Sequence, residues 1–348
     1  MCWRLSLSFA TLMGSSDALR DVLAQRKAAI DRGLSAIPLG DRPAALYEPV
    51  RYALRGEGKR VRPALTLLAA EAFGGTDAAE RALDVALAVE VFHTFTLVHD
   101  DVMDGSEIRR GRPSVWARWD VPTAILTGDL LMGLAYRLLD TADLDAETGG
   151  TIRDRFHGMV ARLCEGQASD MAFETRDDVT HDAYLAMIDG KTGALLSLAL
   201  EAGALAGGAD ATDAAALGAA GRDAGRAFQL QDDLLDLTAD PDAWGKPVGQ
   251  DLVEGKRTAL LLRARERSLE SDAAPDDAPA FRAVLDGLDP ERVPEIRDRM
   301  RRLGVLDAVA DDVARAARAG ADGLRVLPDT DAARALRAVV LALAGRSV

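Results

Sequence analysis

Residues 78–104 read AAERALDVALAVEVFHTFTLVHDDVMD. Segment 77–100 is apolar on most faces, which predicts a long central helix buried in a bundle. It ends in the pentad Asp100-Asp101-Val102-Met103-Asp104. A second apolar segment, 211–237, ends in Phe228-Gln229-Leu230-Gln231 and then Asp232-Asp233-Leu234-Leu235-Asp236. Both pentads are DDxxD. Aspartates four apart share a helix face one turn from each other. Like charges that close repel unless protons or cations neutralise them. Six carboxylates at the ends of two core helices are costly without a ligand. Two such clusters predict two helices lining one cavity and holding hard divalent ions. Carboxylate oxygens suit magnesium, which is commonly held by a few carboxylates plus substrate phosphates. The expected substrate is therefore a phosphorylated or diphosphorylated molecule. The spacing is not that of an EF-hand, which needs alternating acidic positions and a terminal Glu.

Composition supports helices. The chain has 348 residues, 48% of them apolar and only 5% aromatic. Abundant Ala, Leu, Arg, Asp and Glu favour helix over strand. Helices are expected over 17–33, 42–55, 60–73, 77–100, 122–140, 147–172, 180–189, 192–207, 211–237, 256–268, 278–287, 291–302, 304–325 and 330–345. Gly74-Gly75, Gly149-Gly150, Gly207-Gly208 and Pro241 supply breaks, and Ser271 to Pro279 reads as a polar loop. The expected architecture is all-α, a single large helical bundle with a central cavity and no strand-rich region.

A formal charge of −14 excludes nucleic acid as the main partner. Two cysteines imply no disulfide framework and a cytoplasmic, reducing location. No apolar run reads as a membrane span of about 20 residues. The stretch LSLSFATLM weakly resembles a secretory signal, but residues 1–16 are expected to be a disordered extension.

Only five of the 42 basic residues are lysines: Lys27, Lys59, Lys191, Lys246 and Lys256. A chain that avoids Lys keeps it where a compact charge serves better than a planar fork. Two basic groups, Gly58-Lys59-Arg60-Val61-Arg62-Pro63 and Arg109-Arg110-Gly111-Arg112-Pro113, suit anion binding by side chains and helix N-termini.

Taken together these motifs resemble the trans-isoprenyl diphosphate synthases, the polyprenyl synthetase family. The likeness spans about residues 45–265. It rests on GKRVRP at 58–63, His93, LVHDDVMD at 97–104, RRGRP at 109–113, GD at 128–129, GQASD at 166–170, KT at 191–192, FQLQDDLLD at 228–236, GKPVGQDL at 245–252 and EGKRT at 254–258. It implies a polyprenyl synthetase domain over 17–348 with the isoprenoid synthase fold. Lys59, Arg62, His93 and Arg110 would bind isopentenyl diphosphate. Arg109, Lys191, Thr192, Gln229, Lys246 and Lys256 would hold the allylic diphosphate. Asp100, Asp104 and Asp232 would ligate about three Mg2+ ions, with Asp101, Asp170, Asp233 and Asp236 in support. The resemblance also implies a homodimer. Departures from the family pattern are Glu57 for the first Gly of GGKR, Trp116 where many members carry His, and Ala259-Leu260 for Leu-Pro.

The implied reaction condenses isopentenyl diphosphate with dimethylallyl, geranyl or farnesyl diphosphate. Asp100, Asp104, Arg109, Lys191, Asp232 and Lys246 would be its catalytic residues. Phe95 lies five positions before Asp100 and Thr96 four. One aromatic beside a small residue resembles geranylgeranyl (C20) synthases, with Phe92 as a second stop. Farnesyl (C15) synthesis is the nearest alternative; a class I terpene cyclase and a non-catalytic partner subunit are more distant ones. Among the remaining residues, His99 is expected to pack or hydrogen-bond locally, His157 and His181 to lie on the surface, and Cys164 to be a small buried residue.

Overall fold

The computed structural model describes residues 17–239, 248–270 and 276–345. The expected N-terminal extension, Lys246 and residues 271–275 of the expected loop lie outside them. The helices are α1 (Asp17–Ala36), α2 (Ala44–Leu54), α3 (Val61–Arg81), α4 (Leu83–Met103), α5 (Val115–Arg118), α6 (Val121–Thr141), α7 (Ala146–Phe173) and α8 (His181–Ile188). After a π-helical turn (Asp189–Gly193) come α9 (Ala194–Ala206), α10 (Ala211–Thr238), α11 (Gln250–Val253), α12 (Ala259–Glu270), α13 (Asp277–Val284), α14 (Val293–Arg302), α15 (Val305–Gly323) and α16 (Asp331–Leu343). Between α4 and α5 lies a ribbon of two short strands, β1 (Ile108–Arg109) and β2 (Arg112–Pro113).

Helix starts follow capping chemistry. Asp145 accepts hydrogen bonds from the Glu147 and Thr148 amides, Asp210 from Thr212 and Asp213, and Thr180 from Ala183. As expected, α4 is central: it packs on α6, α3 and α9, and Phe92 is fully buried within it. One apolar cluster surrounds α4; a second joins α3, α9, α10 and α16; a third joins α8, α10 and α12 to α15. Because α9 and α10 serve more than one cluster, the pentad-bearing helices α4 and α10 belong to one continuous body.

The structure departs from the sequence expectations in several places. The break at Gly75 is present, with φ 72°, but the helix expected over 77–100 is also interrupted at Ala82, and α3 and α4 meet at an 82° bend. The gap expected near Gly190 is filled by the π turn, so 181–206 runs on as helix. By length and composition that run could cross a membrane, yet 72% of its apolar window is buried in the protein. Part of the expected loop is helical, since α13 starts at Asp277, whose carboxylate accepts a 2.6 Å bond from Arg299. His181 is not on the surface but 1% exposed: it opens α8, and its amide donates to Glu266. Cys164 is exposed rather than buried, because it falls on the outer face of α7.

Candidate active site

The two basic loops meet. The turn between β1 and β2 is Arg110-Gly111, with φ 53° and 74°. Positive φ at both central residues is the geometry that matches the twist of a two-residue hairpin. Arg60, at the start of α3, also has positive φ, 51°. Among the described residues these two arginines are the only non-glycine residues in that region. Such a conformation costs energy and persists where its surroundings enforce it. Arg60 is enforced by four contacts: Asp31 at 2.9 Å, the buried Glu90 at 2.6 Å, and the carbonyls of Gly56 and Leu54. The motifs in the sequence assigned Arg60 no individual role; its signal was a carboxylate, Glu90, within the apolar run of α4. Arg110 lies so close to the other loop that a Cβ on Gly58 would stand 2.6 Å from its Nη1. The two loops are thus in side-chain contact, through the tip of Arg110. A pocket of about 60 Å³ opens here, lined by Gly56, Thr94, Leu97, Asp101, Arg109 and Arg110 among others.

This corner is strongly cationic. Arg62 is buried, with Nη1 3.4 Å from His93 Nε2. Burial pushes the Arg62 guanidinium down to about 10, opposed by Glu90 and reinforced by Arg110. Burial, then Arg62, Arg110 and Arg109, hold the His93 imidazole well below its ordinary value, so it is neutral at pH 7. Burial also lowers Lys59. Cations crowded together and partly desolvated favour a multiply charged anion.

The acidic corner is held by its own contacts. Asp101 accepts a 2.8 Å bond from Arg109 Nε. Burial raises the pKa of Asp100; Lys191 opposes the rise and Asp104 adds to it. On α10, Asp233 is fully engaged: Tyr184 donates at 2.6 Å, the Ala259 amide at 3.1 Å and Gln229 at 3.2 Å. Burial, with Asp251 adding repulsion, still pushes Asp233 up to about 7. Asp236 accepts from the Asp251 amide at 3.2 Å. Asp232 is half-buried on the same helix, and Lys256 is turned onto Asp251 at 3.2 Å and Glu254.

The π turn connects the two acidic helices. Lys191 and Thr192 on it are buried, and Lys191 Nζ contacts Asp170 of α7 at 2.5 Å while its charge acts on Asp100. Asp170 in turn acts on Tyr184, which binds Asp233. A Cβ on Gly166 would lie 2.3 Å from the Lys191 amide nitrogen, and one on Gly225 of α10 would lie 3.0 Å from Gly193 Cα. The turn is thus wedged backbone to backbone between α7 and α10. Single π turns inside α-helices recur at functional sites. His99 packs locally as expected, with Nε2 3.2 Å from the Ile125 carbonyl.

Deeper in α4, Phe95 is half-buried and Thr96 hydrogen-bonds the His93 carbonyl at 2.8 Å. The Phe92 ring lies 5.1 Å from Phe95 and 5.1 Å from Phe156 of α7.

The acidic residues fit divalent cations. Their donors are all carboxylate oxygens, and the raised pKa of Asp100 marks a desolvated carboxylate that gains from a nearby positive charge. Among the described residues no three His, Cys, Asp or Glu side chains close into a complete metal cluster. The remaining ligands would come from substrate oxygens and water.

Known proteins carry the same combination. The chain is 40% identical over 300 residues, 84% of this chain and 88% of the other, to a short chain isoprenyl diphosphate synthase of Methanothermobacter thermautotrophicus. It is 35% identical over 349 residues, 96% of this chain and all of the other, to a geranylfarnesyl diphosphate synthase of Natronomonas pharaonis. The structure of a geranylgeranyl pyrophosphate synthetase from Pyrococcus horikoshii matches with a TM-score of 0.85 and 35% identity, over 95% of this chain and all of that one. A polyprenyl synthase from Caulobacter crescentus, solved with calcium and isoprenyl diphosphate, matches at 0.77 and 29%, over 96% and 98%. The polyprenyl synthetase model, whose family uses divalent metal ions, matches residues 43–277. A bundle with paired DDxxD helices, basic loops facing them and likeness along most of its length is a short-chain trans-prenyltransferase: the chain belongs to the polyprenyl synthetase family.

Proposed function

We propose that the chain makes geranylgeranyl diphosphate from isopentenyl diphosphate and an allylic primer, ending at C20. The observation that carries the chain length is Phe95, half-buried five positions before Asp100, with Phe92 packed behind it. Five residues of helix correspond to about 7.5 Å of depth below the acidic rim. Lys59, Arg62, His93 and Arg110 take isopentenyl diphosphate in the cationic corner. Arg109, Lys191, Thr192, Gln229 and Lys256 take the allylic diphosphate, together with Lys246, which lies outside the described residues. Asp100, Asp104 and Asp232 would hold the magnesium ions, which when bound supply Lewis acidity to the departing diphosphate.

The residues contribute electrostatics and shape rather than a nucleophile. Arg109 and Lys191 are held in place by Asp101 and Asp170, so they meet developing negative charge without reorganising. Leaving of the diphosphate exposes an allylic cation. Gln229, oriented by Asp233, and Thr192 on the π turn present oxygen atoms toward it. The apolar wall of α4 excludes water that would quench the cation. The double bond of isopentenyl diphosphate then attacks, and the freed diphosphate accepts the proton. The same reading makes the chain a cytoplasmic homodimer.

A C25 product is the second reading, favoured by the full-length likeness to a geranylfarnesyl diphosphate synthase. Incubation with labelled isopentenyl diphosphate and each primer, then chromatography of the dephosphorylated products, decides. Geranylgeraniol as end product supports the proposal; a C15 or C25 end product overturns it.

A further inference from the structure

We infer that Tyr52 is a positioning residue for isopentenyl diphosphate, holding the Arg109–Arg110 hairpin in register with the Lys59 loop. The inference rests on the prenyl-transfer reading of the site. The hairpin has strands of two residues each, and Ile108 within it is 59% exposed. A ribbon that short has no stability of its own. Its position must be imposed from outside. On one strand, Arg109 is tied to Asp101. On the other, everything converges on Tyr52. Two guanidinium groups stack on its ring, Arg112 at 4.0 Å and Arg118 at 4.4 Å from the centroid. Trp119 closes the edge at 5.2 Å, and the Tyr52 hydroxyl donates to the Pro113 carbonyl at 2.7 Å. Arg112 and Pro113 are the register partners of Arg109 and Ile108.

Tyr52 also belongs to the other loop. It sits in the last turn of α2, two residues before Leu54, where the chain enters the Gly56–Lys59 segment. One side chain therefore fixes the separation between the two cationic arms. The arms do come close, since the Arg110 guanidinium reaches to 2.6 Å from where a Gly58 Cβ would stand. A guanidinium on an aromatic face gains most when partly desolvated, and Tyr52 is half-buried.

The test measures isopentenyl diphosphate binding by calorimetry and the KM of each substrate for wild type, Tyr52→Phe, Tyr52→Leu and Arg118→Ala. Tyr52→Leu is expected to weaken isopentenyl diphosphate, in Kd and KM alike, about tenfold, the weight of the lost cation–π contacts. Its kcat and its KM for farnesyl diphosphate stay within about twofold, because Asp101 still holds Arg109 on the other strand. Tyr52→Phe, which keeps the ring, restores most of the affinity. Arg118 is exposed, so its removal opens one face of the ring without disturbing the core, and the same selective loss in smaller measure is expected. Unchanged binding in Tyr52→Leu and Arg118→Ala, or equal loss for both substrates, overturns the inference. Wild-type protein that binds no isopentenyl diphosphate overturns the functional reading itself.

Discussion

Replacing Gly166 by alanine adds one methyl group where α7 meets the π turn. The new Cβ would stand 2.3 Å from the Lys191 amide nitrogen, 2.8 Å from the Gly190 carbonyl carbon and 3.0 Å from Lys191 Cα. All are backbone atoms, so no rotamer change relieves the contact. Ordinary van der Waals contact begins at 3.4 Å, so the turn must move by about 1 Å. That turn carries Lys191 and Thr192, and a misplacement of about 1 Å at a positioning group can cost on the order of 100-fold in rate. Overpacking costs about 1–3 kcal/mol, offset by up to about 1 kcal/mol from replacing a helical glycine. The expected net loss is therefore between about 0 and 3 kcal/mol, small enough for the variant to fold. The control is Gly158→Ala on the same helix, where the nearest atom is the mobile tip of Arg162 at 3.9 Å. Initial rates with farnesyl and labelled isopentenyl diphosphate, beside thermal unfolding, give both quantities. A folded Gly166→Ala enzyme with wild-type kcat/KM would refute the wedge.

Three further outcomes are expected. Phe95→Ala moves the end product from C20 to C25, because Phe92 stands about 4.5 Å deeper, one further turn of the chain, and is backed by Phe156; an unchanged product ceiling on chromatography argues against this floor. Asp232→Asn lowers the prenyl-transfer rate by on the order of 10²–10³, the scale of losing one preorganised electrostatic contact, while isopentenyl diphosphate binding by calorimetry stays at the wild-type level; a near-wild-type rate removes Asp232 from the metal set. His181 supplies the pH prediction: burial, with Arg263 adding, holds its imidazole down at about 4 against an ordinary 6.5. Asp312 Oδ2 lies 3.1 Å from it but is already shared with Arg263, and Arg315 takes Oδ1, so burial prevails. Between those values the unfolded chain binds a proton that the folded chain does not, so this contribution is full above about pH 6.5 and is lost as pH falls toward 4. The melting temperature of His181→Gln should accordingly fall less between pH 7 and 4.5 than that of wild type, and equal acid sensitivity would count against the assignment.

The central helix and its acidic end were legible because apolar periodicity and charge spacing act within one segment. Lys59, Arg62, His93 and Arg110 were grouped by the family resemblance; the structure brings Arg62 and Arg110 to act on His93, with the Arg110 tip beside Gly58. What the sequence concealed depends on distant partners. His181 reads as a solitary polar residue, yet Glu266 and Asp312, 85 and 131 positions away, bury it. The π turn is invisible to helical periodicity because it adds a residue without breaking the chain's hydrogen bonding. Arg60 looked like one more cation of a basic motif; its contacts with Asp31 and Glu90 make it the anchor of that motif.

That anchoring explains how a chain of net charge −14 presents a cationic cleft. Arg60, Arg62, Arg109 and Arg110 act on one buried imidazole from two loops. Their mutual repulsion opposes folding. Fixed carboxylates offset part of it: Glu90 lies on Arg60 and also acts on Arg62, and Asp101 lies on Arg109. Arg62 is desolvated enough for its pKa to fall, and Arg110 contributes to that fall. A diphosphate entering this corner relieves repulsion that the fold already carries, so part of the binding energy is present before the ligand arrives. On the acidic side the sign is reversed: burial and the neighbouring Asp104 raise the cost of ionising Asp100, and a cation relieves it. The two corners are thus unstable in opposite senses. Isopentenyl diphosphate relieves the one and a cation the other, so the two reliefs are separate, as the unchanged isopentenyl diphosphate binding expected of Asp232→Asn requires.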